Sequence, residues 1–204
     1  MSSFPIRDQK EDHLLTPQNA AVIFIDYQPV QVSSIKSMKP EQLVKNITNV
    51  ARVAKLYDLP VVLSTVNVKT GNNQPTIPEL AETLKGVEPI DRTTINSWED
   101  EGFRRAVEAT GRKKLVMTAL WTEACLTFPV LDALKSGYDV YFVSDAVGGT
   151  SPEAHKNAIK RMVQAGAKPI SWVQLACELQ RDWNRTDTAK EFAQILFGPT
   201  GING

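Results

Sequence analysis

The chain has 204 residues, 42% of them hydrophobic and 23% charged, and this composition fits one globular domain with a sizeable core. Basic and acidic residues both number 23, so the formal net charge is zero and nothing in it indicates a nucleic-acid or anionic-membrane partner. No apolar run is long enough to cross a bilayer, and residues 1–20 lack the apolar core of a signal peptide, so we expect a cytoplasmic protein.

Short apolar runs alternate with segments of helical spacing along the chain. In chain order, the pattern predicts strand 20–25, helix 40–57, strand 60–66, helix 79–84, strand 87–90, helix 100–109, strand 115–120, helix 123–135, strand 140–145, helix 151–165 and strand 169–172. Ser151 and Pro152 are typical of the start of a helix. Helices are expected to fill most of the remainder.

These strands alternate with helices and do not alternate between polar and apolar residues. This indicates a mostly parallel sheet that is covered on both faces. Right-handed crossovers then give a three-layer α/β/α, doubly wound, Rossmann-like fold. We expect a single domain over residues 1–204, with a core at about 15–185 and a C-terminal helical extension at 186–204. The pattern does not fix the order of the strands.

Several chemically useful side chains follow the predicted strands. In a parallel sheet all carboxyl ends face one crevice, where open α/β sheets bind their ligands. The residues expected there include Asp26, Asp91, Arg92, Cys125 and Asp145. An acid, a guanidinium and a thiol at one edge are typical of a nucleophilic site. Asp145, which precedes a Gly-rich loop, is interpreted as a structural residue that holds this loop.

Cys125 follows the strand at 115–120 and lies in the first turn of the predicted helix at 123–135. Unpaired N–H groups and the helix dipole favour a thiolate at such a position. The alternative interpretation is a small, buried, apolar cysteine.

The sequence does not indicate a metal-binding site. Cys125 and Cys177 have neither metal-ligand spacing nor a disulfide framework, and the only histidines are His13 and His155. We therefore expect no metal and no cofactor. His155 is interpreted as a structural or interface residue, and Cys177 as inert packing.

Several segments together resemble the isochorismatase-like cysteine hydrolases, and in particular their YcaC-type branch. They are VIFIDYQ, RTTINSWEDEGF, LWTEACLTFPVLDALKSGYDVYFVSDAVGG, HKNAIKRM and CELQRDW. The resemblance covers about residues 15–185. It implies a three-layer α/β fold and an Asp–Lys–Cys triad that hydrolyses C–N bonds in small amides.

On this sequence, Asp26 matches the acid of the triad and Cys125 the nucleophile, whereas Arg92 stands where most of the family has lysine. The YcaC-type branch is similar in having arginine there. We hypothesise that Cys125 attacks an amide carbon to give a thioester-type intermediate, with Asp26 transferring the protons. Arg92 stays charged, so we expect it to pair with Asp26, favour the thiolate and orient a carbonyl or carboxylate group.

Backbone N–H groups of Thr122 and Cys125 are the expected oxyanion hole. For this, the resemblance implies a cis peptide bond between Trp121 and Thr122. Trp98 is expected either to line the pocket or to pack against the following helix. The full set of candidate substrate contacts is Tyr27, Gln28, Asn96, Trp98 and Trp121.

The leading hypothesis is a cysteine hydrolase acting on a small C–N-containing substrate whose identity the sequence does not give. The alternative is a catalytically silent oligomer that binds a small carboxylate or responds to oxidants through Cys125. Isochorismate hydrolysis is disfavoured, because that activity in the family does not use a nucleophilic cysteine. The resemblance also implies a homo-oligomer, a tetramer or an octamer.

Overall fold

A computed structural model describes residues 3–202, which contain six strands and eight α-helices. The strands are β1 Ala20–Ile25, β2 Val61–Val66, β3 Ile90–Arg92, β4 Lys114–Ala119, β5 Asp139–Val143 and β6 Lys168–Ile170. The helices are α1 Pro29–Ser34, α2 Pro40–Leu56, α3 Pro78–Thr83, α4 Glu101–Ala109, α5 Thr127–Lys135, α6 Pro152–Gln164, α7 Trp172–Gln180 and α8 Thr186–Phe197. A 3₁₀ turn covers Ser97–Glu99, and a π-helical turn covers Thr122–Leu126.

All six strands are parallel, in the order β3-β2-β1-β4-β5-β6. Both faces of the central strand β1 are buried: Val22 and Phe24 belong to one core cluster, and Ile23 and Ile25 to the other. Helices α2, α7 and α8 contribute to the first cluster, and α4 and α5 to the second. The expected three-layer, doubly wound fold is confirmed, and continuous apolar strands are what such burial requires.

The register of the sheet determines which side chains meet at its carboxyl edge. Ile25 at the end of β1 lies opposite Ser64 of β2, and Val66 of β2 lies opposite Arg92 of β3. Asp26 is the first residue after β1. The carboxyl ends of β1, β2 and β3 therefore bring an acid, a hydroxyl and a guanidinium to one part of the edge.

The third strand was predicted too early in the chain. Residues 87–90 were expected to form it, but β3 starts at Ile90 and ends at Arg92. Pro89 has no N–H to contribute to a sheet, so pairing begins only after it. The predicted strand 169–172 also ends early, because Ser171 caps α7 by accepting a hydrogen bond from the Gln174 N–H and Trp172 is already helical.

The predicted helix 123–135 consists of two parts. Its first residues form the π-helical turn Thr122–Leu126, and regular α-helix begins at Thr127. Pro129 has no N–H to donate to the Cys125 carbonyl, which explains why α-helical bonding does not extend back over Cys125. The irregular turn leaves Cys125 beside the end of β1.

Helix α8, near the C-terminal end of the described residues, belongs to the packed core. Phe192, Ile195 and Leu196 of α8 pack into the same core cluster as α2. The predicted domain and its extension include residues 1, 2, 203 and 204, which lie outside the described residues. Within residues 3–202, no helix has the length and apolar character needed to cross a membrane.

Candidate active site

Asp26 leaves β1 in the left-handed backbone region, with φ of 61°, and its side chain is fully buried. Its N–H donates to the Ser64 carbonyl at 3.0 Å, so the sheet pairing continues one residue beyond β1. Aspartate tolerates this conformation better than most residues. The turn directs the chain away from the sheet while the carboxylate stays at its edge.

Arg92 binds the Asp26 carboxylate through two parallel hydrogen bonds. Nη1 lies 2.7 Å from Oδ1, and Nη2 lies 2.8 Å from Oδ2. Both side chains are fully buried. Burial alone lowers the pKa of Arg92, but the hydrogen bonds and charge of Asp26 outweigh it, so the pKa is raised. Arg92 is therefore a permanent cation that transfers no protons.

Ser64 is a site residue that the sequence analysis missed. Its Oγ accepts a hydrogen bond from Arg92 Nη1 at 3.1 Å and donates to the Ile90 carbonyl at 2.9 Å. It therefore fixes the guanidinium where Arg92 passes over β2. The sequence signal that could have identified Ser64 is a serine within the apolar run of β2. A polar side chain in a strand that is buried on both faces needs a hydrogen-bond partner.

The Cys125 thiol is buried, and the groups that act on it are the Asp26 carboxylate, the Arg92 guanidinium and the backbone of Trp121. Burial raises the pKa of Cys125 to about 12, with the charge and hydrogen bond of Asp26 acting in the same direction. Arg92 and the Trp121 N–H lower this pKa but do not outweigh the other causes. The raised pKa argues against the expected thiolate in the resting site, because a thiol with this pKa keeps its proton at neutral pH.

This raised pKa predicts a pH-dependent contribution to stability. In an unfolded chain the thiol ionises near its ordinary value of 9.0, whereas the folded thiol keeps its proton to about 12. The folded state then holds more protons, so stability falls as pH rises from 9.0 towards 12, by at most about 1.4 kcal/mol per pH unit.

The free energy of unfolding is measured by urea titration for wild type and for Cys125→Ala at each pH. The stability of wild type relative to Cys125→Ala should fall across that pH range. Tyrosine ionisation contributes equally to both proteins. Parallel pH profiles would show that the thiol titrates normally.

The expected oxyanion hole needs a correction. The cis peptide bond lies between Leu120 and Trp121, one position before the expected one. The Thr122 N–H donates to the Gly148 carbonyl at 2.9 Å and is therefore used within the fold. A backbone hydrogen bond from Trp121 lowers the pKa of Cys125, so the Trp121 N–H replaces that of Thr122 as the candidate donor.

Thr122 instead anchors the turn that carries Cys125. Its Oγ1 lies 2.9 Å from His155 Nδ1, and its carbonyl accepts a hydrogen bond from Thr127 Oγ1 at 2.6 Å. Burial lowers the pKa of His155, with the charge of Glu123 opposing it, so the imidazole is neutral at pH 7. The structural interpretation of His155 agrees with this contact.

Tyr27 and Gln28, two of the expected substrate contacts, are fully buried, and their polar groups bind within the protein. The Tyr27 hydroxyl donates to the Ala146 carbonyl at 2.7 Å. Gln28 exchanges two hydrogen bonds with the backbone of Val66, at 3.0 and 3.1 Å, and donates to the Gln74 carbonyl at 2.6 Å. These bonds connect Tyr27 and Gln28 to the loops around the site.

Asn96 is also bound within the protein. Its Nδ2 donates to Asp132 Oδ2 at 2.7 Å and to Glu99 Oε1 at 3.3 Å, and its Oδ1 accepts from the Trp98 N–H. Both amide hydrogens are used, which argues against the expected contact with substrate. Asn96 caps the 3₁₀ turn and connects it to α5.

Of the two candidate tryptophans, Trp98 packs edge-on against Phe103 and Tyr138, with ring centroids 6.3 and 5.7 Å apart. This supports its interpretation as a packing residue for the following helix. Trp121 is half-buried, and its Nε1 donates to Ser34 Oγ at 2.8 Å. Trp121 therefore connects α1 to the turn of Cys125, next to the sulfur.

The other strand-end acids are structural. Asp145 Oδ1 accepts a hydrogen bond from the Trp172 N–H at 2.9 Å, in agreement with its predicted role in holding a loop. Asp91 accepts hydrogen bonds from the Thr65 hydroxyl and from the N–H groups of Val68 and Lys69. Among the described residues, no group of three or more His, Cys, Asp or Glu side chains is placed to hold a metal ion.

Comparison with known proteins gives consistent matches. Residues 20–174 match the protein family described as "Isochorismatase domain". The chain is 38% identical to "Probable hydrolase YcaC" of Escherichia coli K12, over 83% of this chain and 81% of that protein. It is 28% identical to "Isochorismatase domain-containing protein 2A" of Mus musculus, over 93% and 88% of the two chains.

Two solved structures extend these matches. YcaC from Pseudomonas aeruginosa, with hexane-2,5-diol and covalent acrylamide, superposes with a TM-score of 0.86 at 36% identity, over 96% of this chain and 93% of that one. YcaC from Escherichia coli, described as an octameric hydrolase of unknown specificity, gives a TM-score of 0.80 at 34% identity, over 91% and 96%.

Proposed function

This chain belongs to the isochorismatase family, and we propose that it is a cysteine hydrolase that cleaves C–N bonds of small amide-like molecules. The observation that carries the proposal is the buried carboxylate of Asp26, which Arg92 holds by two hydrogen bonds and which raises the pKa of the Cys125 thiol by its charge and hydrogen bond. Nucleophile, base and orienting cation thus lie in one connected group, which is the arrangement that covalent catalysis requires.

In the first half-reaction, Asp26 takes the thiol proton as Cys125 Sγ forms a bond to the amide carbon. The carbonyl electron pair moves to oxygen, where the N–H groups of Trp121 and Cys125 stabilise the developing negative charge. When this pair returns, the C–N bond breaks and the amine leaves with the proton that Asp26 holds. The product is a thioester on Cys125.

In the second half-reaction, Asp26 accepts a proton from water as the water oxygen attacks the thioester carbon. The C–S bond then breaks, the carboxylic acid leaves, and Asp26 returns the proton to the sulfur. The positive charge of Arg92 balances the carboxylate whenever Asp26 is ionised. Because arginine keeps its proton, it orients Asp26 and takes no part in the proton transfers.

The raised pKa of Cys125 weakens the redox-responsive alternative, since oxidant-sensing cysteines are typically exposed and readily ionised. A mechanism in which the proton leaves only as the new bond forms does not need a resting thiolate. The Pseudomonas relative is described with covalent acrylamide, a small amide, which is consistent with a reactive residue that small amides reach.

The proposal is tested with a panel of small amides, ureides and hydroxamates. Wild type should hydrolyse at least one, with an acyl-enzyme adduct visible by intact mass at short times. Cys125→Ala should give neither product nor adduct. Cys177→Ala is the matched control and should keep wild-type activity, because Cys177 lies on α7, outside the site. Turnover by Cys125→Ala, or none by wild type, would contradict the proposal.

We also propose a homo-oligomer, because the Escherichia coli relative is described as octameric. Zero net charge gives no overall electrostatic repulsion between copies. The particle mass from light scattering, compared with 22.6 kDa for one chain, decides between monomer, tetramer and octamer.

A further inference from the structure

The guanidinium of Arg92 already has partners for all of its Nη hydrogens. Besides Asp26, Nη1 has the Ser64 hydroxyl at 3.1 Å and the Thr65 carbonyl at 3.0 Å. Nη2 has the Ile95 carbonyl at 3.3 Å in addition to Asp26. The Nε–H is enclosed and has no partner among the described residues. No pair of N–H groups remains to bind a carboxylate in the two-bond geometry that arginine favours.

The charges at the site cancel as well. Asp26 and Arg92 form a neutral pair, and these two are the charged groups with the largest influence on the Cys125 thiol. A carboxylate entering beside the sulfur would lose its hydration without gaining an uncompensated cation. Unpaired charges are costly in such a buried setting, whereas a neutral carbonyl group loses far less.

One backbone group near the sulfur suits a neutral carbonyl oxygen. A backbone hydrogen bond from Trp121 lowers the pKa of Cys125, and this N–H is a single, uncharged donor. It can donate a hydrogen bond to one oxygen of an amide or ketone, and this interaction strengthens as charge develops on that oxygen.

We propose that the site at Cys125 selects substrates that are uncharged beside the reacting carbonyl and rejects carboxylates. This inference rests on the proposed function and names its substrate class. It replaces the expectation that Arg92 orients a substrate carboxylate, and it removes the basis for a protein that binds small carboxylates at this site.

The test uses two alkylating reagents of nearly the same shape, iodoacetamide and iodoacetate. In each case the sulfur bonds to the methylene carbon, iodide leaves, and the thiol proton passes through Asp26 to solvent. Cys177 is exposed and provides a reference within the same chain. Peptide mass spectrometry under limited labelling gives the iodoacetamide-to-iodoacetate rate ratio for each cysteine.

The ratio for Cys125 should exceed that for Cys177 by about tenfold or more, since each 1.4 kcal/mol of added cost to the anion is a factor of ten. In Asp26→Asn, Arg92 has no counter-charge, so iodoacetate should react relatively faster at Cys125. The iodoacetamide-to-iodoacetate rate ratio at Cys125 should therefore fall. Equal ratios at the two cysteines of wild type would overturn the proposal. So would failure of both reagents at Cys125, which would show that the thiol is reached by no small carbonyl compound.

This result is separate from the test of function. Labelling depends on access and charge, whereas hydrolysis also needs a leaving group and a water. Selective labelling without turnover of any amide would leave the charge selection intact and count against the hydrolase. Turnover of an amide with equal labelling ratios would support the hydrolase and count against the charge selection.

Discussion

Replacing Asp26 with Asn is expected to reduce amide hydrolysis by about 10²–10⁴-fold, the range that general acid–base groups usually contribute. The amide has the shape of the carboxylate but does not accept the thiol proton. At the same time the pKa of Cys125 should fall, because both the charge and the hydrogen bond of Asp26 raise it. The variant would thus have a more readily ionised nucleophile and a slower reaction.

This combination separates proton transfer from a purely structural role. Hydrolysis is measured with the substrate found in the panel, and the thiol titration is followed by ultraviolet absorbance of the thiolate. Asp145→Asn is the matched control, since Asp145 also follows a strand but binds the Trp172 N–H. Its rate should stay close to that of wild type. Wild-type turnover by Asp26→Asn would rule out Asp26 as the base.

Replacing Arg92 with Met should destabilise the protein by about 3–5 kcal/mol, because it leaves the Asp26 carboxylate buried without a counter-ion. Restoring neutrality should restore stability. The double variant Asp26→Leu, Arg92→Met is expected to recover most of the loss, since apolar side chains replace buried ion pairs at little cost. It should remain inactive.

Urea unfolding of the three proteins gives these free energies. Arg105→Met is the control, because Arg105 pairs with Glu101 on the exposed surface of α4, and such pairs contribute no more than about 1 kcal/mol. If Arg92→Met lost no more unfolding free energy than Arg105→Met, the buried Asp26–Arg92 pair would stabilise the protein no more than a surface pair does. A double variant less stable than Arg92→Met would show that the remaining bonds of Arg92 matter more than its charge.

Much of the architecture could be predicted from local pattern. The strands at 20–25 and 115–120 were apolar enough to indicate burial on both faces, and the structure places them at the centre of the sheet. Ser151 accepts a hydrogen bond from the Ala154 N–H, as a cap should. Where a proline interrupts an apolar run, as at Pro89, hydropathy alone placed the strand too early.

The candidate site was harder to predict in detail. Strand ends indicated Asp26, Arg92 and Cys125, because parallel strands share one edge. What pattern cannot supply is the partner of each polar group. Gln28 looked available for a substrate, yet its amide bonds to backbone far away in sequence, at Val66 and Gln74. The protonation state of Cys125 likewise depends on burial that no local signal reveals.

Arg92 belongs to β3, a three-residue strand at the edge of the sheet, and it crosses β2 to reach Asp26 beyond β1. Edge strands of this length are normally the first to fray. Here, fraying would withdraw the counter-ion of Asp26 and leave a bare charge inside the protein. Opening of this edge of the sheet should therefore also disrupt the reactive centre, and the Asp26–Arg92 pair that serves the chemistry also holds β3 in place.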